Sequence, residues 1–415
     1  MTLITPPLAL YLHFPWCVRK CPYCDFNSHT LHGDLPQAAY LDALLEDLDA
    51  QLPRVSGRTV ASVFLGGGTP SLFEPAALAR LFEALRSRLL LSAAAEITLE
   101  ANPGTIERGR FADYRAAGIT RVSLGAQSFS PTMLERLGRI HSVQDTCAAA
   151  EELHAAGLGN FNLDLMYALP GQDLTGAVAD VRAALALAPA HVSHYQLTLE
   201  PGTVFGGRPP AGLPDEDLSF GMQQHCQDEL AAAGYAQYEV SAYAREGAQC
   251  VHNLNYWNFG DYLGAGAGAH GKLTQSSQGL ITRSVREREP RRYLAGGCRG
   301  EPARSVVPGA DLPFEFMMNA LRLNDGFDEA QFETRTGLDW QLVAPTVQRQ
   351  AARGLLASEG GASTGGVSEG GRWRPTERGR RFLNDLIVDF LAAPRSGAER
   401  GPGPALRKNP EGSVV

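Results

Sequence analysis

From Leu8 to about Pro201 the chain alternates short apolar runs with amphipathic stretches. The runs LALYLHF (8–14), ASVFLGG (61–67), EITLEAN (96–102), RVSLGAQ (121–127), NFNLDLMY (160–167) and HVSHYQLTL (191–199) predict strands. Between the first two, Leu41, Leu44, Leu45, Leu48 and Leu52 recur at helical spacing. After the second come Leu78, Leu81, Phe82, Leu85 and Leu89, with Pro75 where a first helical turn tolerates it. Ser130-Pro131 and Thr175 predict helix starts, and Gly118 and Gly157 predict helix stops. Near-continuous apolar strands separated by helices predict a parallel sheet with both faces covered. Six such units fit the α/β class as a partial, open (β/α)6 barrel over residues 1–201.

The pattern continues over 202–301 as an extension of that barrel, with a helix at 215–233 and a strand at Tyr235–Tyr243. There follows CVHNLNYWNFGDYLGAGAGAHGK (250–272). Its glycines miss the G-x-G-x-x-G spacing of a dinucleotide loop and predict a backbone passing close to the active-site mouth. Residues 302–391 predict a smaller domain: helices at 312–323, 327–339 and 340–356, a flexible hairpin tip at 358–371, and a last helix over 372–391. Three helices and a hairpin resemble a winged-helix module. The tail 392–415, rich in Pro, Gly and charge, predicts disorder.

Composition narrows the classes. A chain of 415 residues, 44% hydrophobic and 20% charged, is an ordinary globular protein of about two domains. A net charge of −8 removes the electrostatic footprint of a nucleic-acid binder, and Arg378, Arg380 and Arg381 read as a solvated face. No apolar run approaches the ~20 residues of a membrane span. The start MTLITPPLAL lacks the pattern of a signal peptide. Cys147, Cys226, Cys250 and Cys298 are scattered and read as inert thiols, which together with a cluster implies the reducing cytoplasm.

The strongest chemical signal is LYLHFPWCVRKCPYCDFNSH. Cys17, Cys21 and Cys24 stand at C-x3-C-x2-C spacing directly after the first strand. Three thiolates can hold three irons of a cubic [4Fe–4S] cluster, leaving the fourth iron open for a ligand. The other readings are chance clustering or a zinc knuckle, which commonly brings a second C-x-x-C pair that this chain lacks. Further polar residues stand at successive strand ends: Gly66-Gly67-Gly68-Thr69-Pro70, Glu100 and Asn102, Gln127, and Asp164. That is where function gathers in parallel α/β folds. Singly, each has a bland reading as a turn, a helix-entry charge or a solvated side chain. For His252 in H-N-x-x-Y-W, chemistry alone favours a satisfied core histidine over a haem contact.

The cysteine spacing, with Tyr23 before the last cysteine, resembles the radical S-adenosylmethionine (SAM) superfamily. FPWC, CPYCDFNSH, LGGGTPS, LEANP, LGAQSF, DLMYALPGQ and HNLNYW resemble its HemW-type haem chaperone family, over nearly the whole chain. The resemblance implies a [4Fe–4S] cluster on Cys17, Cys21 and Cys24. It also implies a SAM pocket lined by Tyr11, Tyr23, Gly67, Gly68, Thr69, Glu100, Gln127, Arg139 and Asp164. Arg139 would pair with the SAM carboxylate, and the Gly-rich segment would meet the methionyl amino group. Haem would be the cargo, with His252 contributing to its binding and haem-dependent respiratory proteins as recipients. The electron donor is unnamed, a homodimer stays open, and so does SAM cleavage. The related oxygen-independent coproporphyrinogen III oxidase is the alternative. It carries a further cysteine where this chain has Phe26, and a longer segment before the cysteine loop. A porphyrin-directed radical methyltransferase is the third reading.

Overall fold

The computed structural model describes residues 2–104, 109–359 and 371–392. The hairpin tip from 360 to 370 and the tail from 393 onward, read above as flexible and disordered, lie outside them.

Strand β1 (Leu8–Phe14) is buried along its whole length, as a strand covered on both faces must be. Two short strands, β2 (Trp16–Cys17) and β3 (His29–Thr30), pair in parallel and close the cysteine loop. Then come β4 (Thr59–Gly67), β5 (Leu90–Ala101), β6 (Arg121–Gln127), β7 (Phe161–Tyr167) and β8 (His191–Gln196). With β1 these are the six parallel strands expected from the apolar runs. β5 begins six residues before its apolar run, because Leu90 and Leu91 pair with Thr59 and Val60 across a register shift. β8 ends at Gln196, so Leu197, Thr198 and Glu200 leave the sheet.

Helix boundaries follow local chemistry. Helix Pro75–Arg88 starts on its proline. Helix Val143–Ala155 has a capping box, with Ser142 and Asp145 bonding each other's backbone N–H. Gly118 ends helix Phe111–Ala117 at φ +120°, a conformation that costs a residue with a Cβ.

The extension differs from its reading. Tyr235–Tyr243 is a tight pair, β9 (Ala236–Gln237) and β10 (Ala242–Ala244), added antiparallel beside β8. The glycine-rich segment forms β11 (Asp261–Ala265), a seventh parallel strand on the other side of β1. A Cβ on Gly264 would lie 1.8 Å from the His270 carbonyl oxygen, and one on Gly266 2.4 Å from that of His13. These glycines serve close packing; none lines the cavity described below, and the approach they allow is to the cysteine loop, where a Cβ on Gly268 would lie 2.3 Å from Asn27 Nδ2. β12 (His270–Gln275), β13 (Leu280–Val285) and β14 (Ala303–Val306) continue antiparallel. The result is an open sheet of twelve strands in the order β14-β13-β12-β11-β1-β4-β5-β6-β7-β8-β10-β9.

The C-terminal module is helical around a three-stranded antiparallel sheet of β15 (Phe327–Asp328), β16 (Leu356–Glu359) and β17 (Arg372–Pro375). Residues 372–375 are therefore strand rather than the start of a last helix, because they pair with β16. The module shares its core with the rest of the chain: Leu3, Phe259 and Ile281 pack with Phe316, Phe332, Trp340 and Phe390.

Candidate functional site

One cavity runs inside the open barrel. At the carboxyl ends of the strands it is lined by Cys17, Cys21 and Cys24, then by Gly67, Gly68, Thr69, Glu100, Asn102, Gln127 and Arg139. Tyr23 and Phe26 belong to the same wall, and Asp164 lies below.

The cysteine loop is held by hydrogen bonds that do not involve its thiols. Asn27 Nδ2 donates to the carbonyls of Ala267 and Arg288, each at 2.9 Å. Lys20 Nζ donates to those of Phe26 and Ser28, at 2.9 and 3.0 Å. Burial raises the pKa of the Cys17 thiol, and that of Cys24 is pushed up to about 11. Metal binding must therefore displace their protons. Among the described residues no three His, Cys, Asp or Glu side chains are grouped so as to hold a single metal ion. Cys17, Cys21 and Cys24 all line the wall of the one cavity. Soft thiolates are the donors iron–sulfur chemistry asks for, so the residues present fit a cluster.

The Gly-rich turn lines the cavity through Gly67, Gly68 and Thr69. Its amides are not bare: Gly67 N–H donates to Glu100 Oε2 at 3.0 Å, and Gly68 N–H to the Phe14 carbonyl at 2.7 Å. Thr69 N–H donates to Trp16 O at 2.8 Å. A Cβ on Gly67 would lie 2.2 Å from the His13 ring, and one on Gly68 2.5 Å from Trp16 O. The glycines thus weld the end of β4 to the cysteine loop.

Arg139 joins the two halves of the pocket. Its Nη1 donates to Cys21 Sγ at 3.6 Å, and its Nη2 to Gly125 O at 2.8 Å and to Asn102 Oδ1. Asn102 Nδ2 in turn donates to Thr69 Oγ1 at 2.8 Å. Gln127 has φ +69°, strained for a residue with a Cβ, and accepts from the Tyr195 hydroxyl at 2.9 Å. Asp164 accepts from Asn162 Nδ2 at 2.7 Å and Ser123 Oγ at 3.1 Å, while burial raises the pKa of its carboxyl.

Two expected site residues stand elsewhere. Tyr11 does not line the cavity; it is buried, with its hydroxyl 3.0 Å from His13 Nδ1. His252 is 1% exposed. Its Nδ1 lies 3.1 Å from Ser62 Oγ and its ring packs 5.0 Å from Phe64. The ring is packed in the core in this structure, with Nδ1 against Ser62 Oγ, and it does not line the cavity. His252 and Tyr256 share one face of helix Val251–Trp257, and Asn253 and Trp257 are the residues that line the cavity. His252→Ala should therefore lower stability by about 2–4 kcal/mol. Haem retention per folded molecule should be unchanged. Wild-type melting with weakened haem binding would show the reverse.

Sequence reading left Ser123, Asn162 and Tyr195 out of the site, and named Asn102 only as a polar residue at a strand end. The available signal was period two. Arg121, Ser123, Gly125 and Gln127 alternate along β6, Asn162, Asp164 and Met166 along β7, and His191, Ser193 and Tyr195 along β8; all line the cavity.

Residues 11–183 match the radical SAM superfamily, and residues 307–363 match the HemN C-terminal domain. The chain is 48% identical to the heme chaperone HemW of Escherichia coli K12, over 93% of this chain and 99% of that protein. It is 40% identical to the heme chaperone HemW of Mycobacterium tuberculosis H37Rv, over 93% and 95%. Among solved structures it resembles the radical SAM enzyme coproporphyrinogen III oxidase (HemN) of Escherichia coli. That match has a TM-score of 0.75 at 23% identity, over 93% of this chain and 90% of the other, and speaks to the fold.

Proposed function

The chain belongs to the HemW family within the radical SAM superfamily, and on that premise we propose that it is a haem chaperone. It binds haem, a [4Fe–4S] cluster and SAM in the cytoplasm and passes haem to haem-dependent, respiratory proteins. The observation that carries this reading is near-half identity to a named haem chaperone along essentially its full length. Among the described residues no helix is long and apolar enough to cross a membrane.

The site supports the cofactor set. Cys17, Cys21 and Cys24 would hold the cluster, which supplies one-electron chemistry when bound. Arg139, held by Asn102 and Gly125, would take the SAM carboxylate through its planar fork. Glu100, Gln127 and Asp164 would hold the amino group and ribose hydroxyls. Phe26 lines the cavity where the oxidase resemblance calls for another cysteine, so this wall offers an apolar ring instead of a thiol.

The reading is tested by giving reconstituted protein SAM, a reductant and either haem or coproporphyrinogen III. Haem should be retained through gel filtration with a shifted Soret band, and coproporphyrinogen III should be recovered unchanged. Steady decarboxylation at ordinary enzyme rates, ~1 per second, would instead establish the oxidase.

A further inference from the structure

The cavity continues below Asp164 to the amino ends of the strands. There Arg121 and His191 line it from β6 and β8, with Glu239, Asn253, Trp257 and Arg322. Arg322 is 2% exposed, its guanidinium 4.3 Å over the Trp257 ring, and its Nη2 donates to Glu239 Oε2 at 2.9 Å. Arg121 is equally buried, and its Nε lies 4.0 Å from Glu96 Oε2, too far for a hydrogen bond.

Four buried side-chain atoms of the cavity's described lining residues have no hydrogen-bond partner: Arg121 Nε, Trp257 Nε1, and Arg322 Nε and Nη1. All four are donors. Leaving such groups unpaired is costly, and most of all for charged ones. The neighbouring acids do not relieve them. Glu239 Oε1 is taken by the backbone and hydroxyl of Ser241, and its Oε2 by Arg322 Nη2. Glu96 Oε1 accepts from Cys250 Sγ and the His252 amide. Asp164 is bonded to Ser123 and Asn162. His191 is satisfied at both ring nitrogens, by Asn162 and Tyr238.

We propose that this floor, made by Arg121, Trp257 and Arg322, binds a carboxylate at the end of an aliphatic arm of the cargo. The choice of cargo rests on the haem reading above; the carboxylate chemistry rests on the unpaired donors. A guanidinium matches a planar carboxylate. A dianionic phosphate fits less well beside Glu96, Asp164 and Glu239. Phe64 and Ala242 line the same cavity and give the arm an apolar flank. Porphyrin propionates carry that chemistry, and so does a free short dicarboxylate.

The test uses cluster-loaded, SAM-bound protein and three probes: iron-free mesoporphyrin IX, its dimethyl ester, and glutarate. Binding is measured by titration, and the Trp257 indole N–H is followed by NMR, assigned with Trp257→Phe. The diacid should bind at least ~10-fold tighter than the ester and move the indole resonance. Trp257→Phe and Arg322→Lys, which keep the ring and the charge beside Glu239, should narrow that gap. Equal binding of diacid and ester with a still indole overturns the carboxylate floor and leaves porphyrin binding standing. Glutarate moving the indole while neither porphyrin binds upholds the floor and removes the porphyrin cargo. A resonance indifferent to all three probes overturns the floor.

Discussion

Alanine in place of Cys17, Cys21 or Cys24 should abolish the iron centre outright, each on its own. Anaerobic reconstitution of the wild-type chain should give about four irons per molecule, and each variant close to none. The reason is the ligand count: three thiols leave no spare, and the remaining cysteines stand elsewhere. Cys250 is buried beside Glu96, and Cys298 beside Glu46. The variants should still fold, because the loop is held by Asn27, Lys20 and the β2–β3 pair rather than by its thiols. Iron and sulfide content, with circular dichroism as the folding control, decide it. Undiminished iron in all three variants would remove the cluster assignment and every reading built on it.

Arg139→Gln should weaken SAM binding by roughly 100-fold, the scale for truncating one partner of a buried charged contact, while the cluster forms normally. The guanidinium is built into the pocket by Gly125 O and Asn102, and its contact with Cys21 Sγ at 3.6 Å is the weak one. Arg139→Lys keeps a charge and loses the fork, so it should recover only part of the affinity. Asn102→Ala should fall between wild type and Arg139→Gln, since it releases the guanidinium without removing it. Equilibrium binding of SAM to cluster-loaded protein gives the comparison. Wild-type affinity in Arg139→Gln would place the carboxylate elsewhere.

The barrel was legible because parallel strands buried on both faces write themselves as unbroken apolar runs, and β1 and β6 match theirs to the residue. The cysteine loop was legible because its three cysteines are close in sequence. The floor was not, because it is assembled from Arg121, Trp257 and Arg322, far apart along the chain and individually ordinary. β11 was hidden by Gly264 within it and Gly266 just after it, which weaken any strand signal and are required here by the approach of the His270 and His13 backbones. The H-N-x-x-Y-W helix shows a subtler limit. Its spacing assigns His252 and Tyr256 to one face, but whether that face meets the cavity or the core depends on β4 and β5, which supply Ser62, Phe64 and Glu96. The C-terminal strand β17 was lost for a similar reason: Arg372–Pro375 is four residues ending in a proline, too short to stand out from the helical reading around it, and pairing with β15 and β16 makes it a strand.

The partner of β1 on one side is β11, and Asn27 of the cysteine loop is anchored on Ala267 and Arg288. During synthesis the cysteine segment thus leaves the ribosome early, while Ala267 and Arg288, which anchor it, leave more than two hundred residues later. Until then the three thiols belong to a segment held only by its local contacts, the Lys20 hydrogen bonds and the β2–β3 pair, and open to oxidation and to stray metal ions. On the proposed cofactor set, cluster insertion should consequently be a late event, following release of most of the chain, and oxygen exposure during translation should harm yield more than the same exposure of the finished protein.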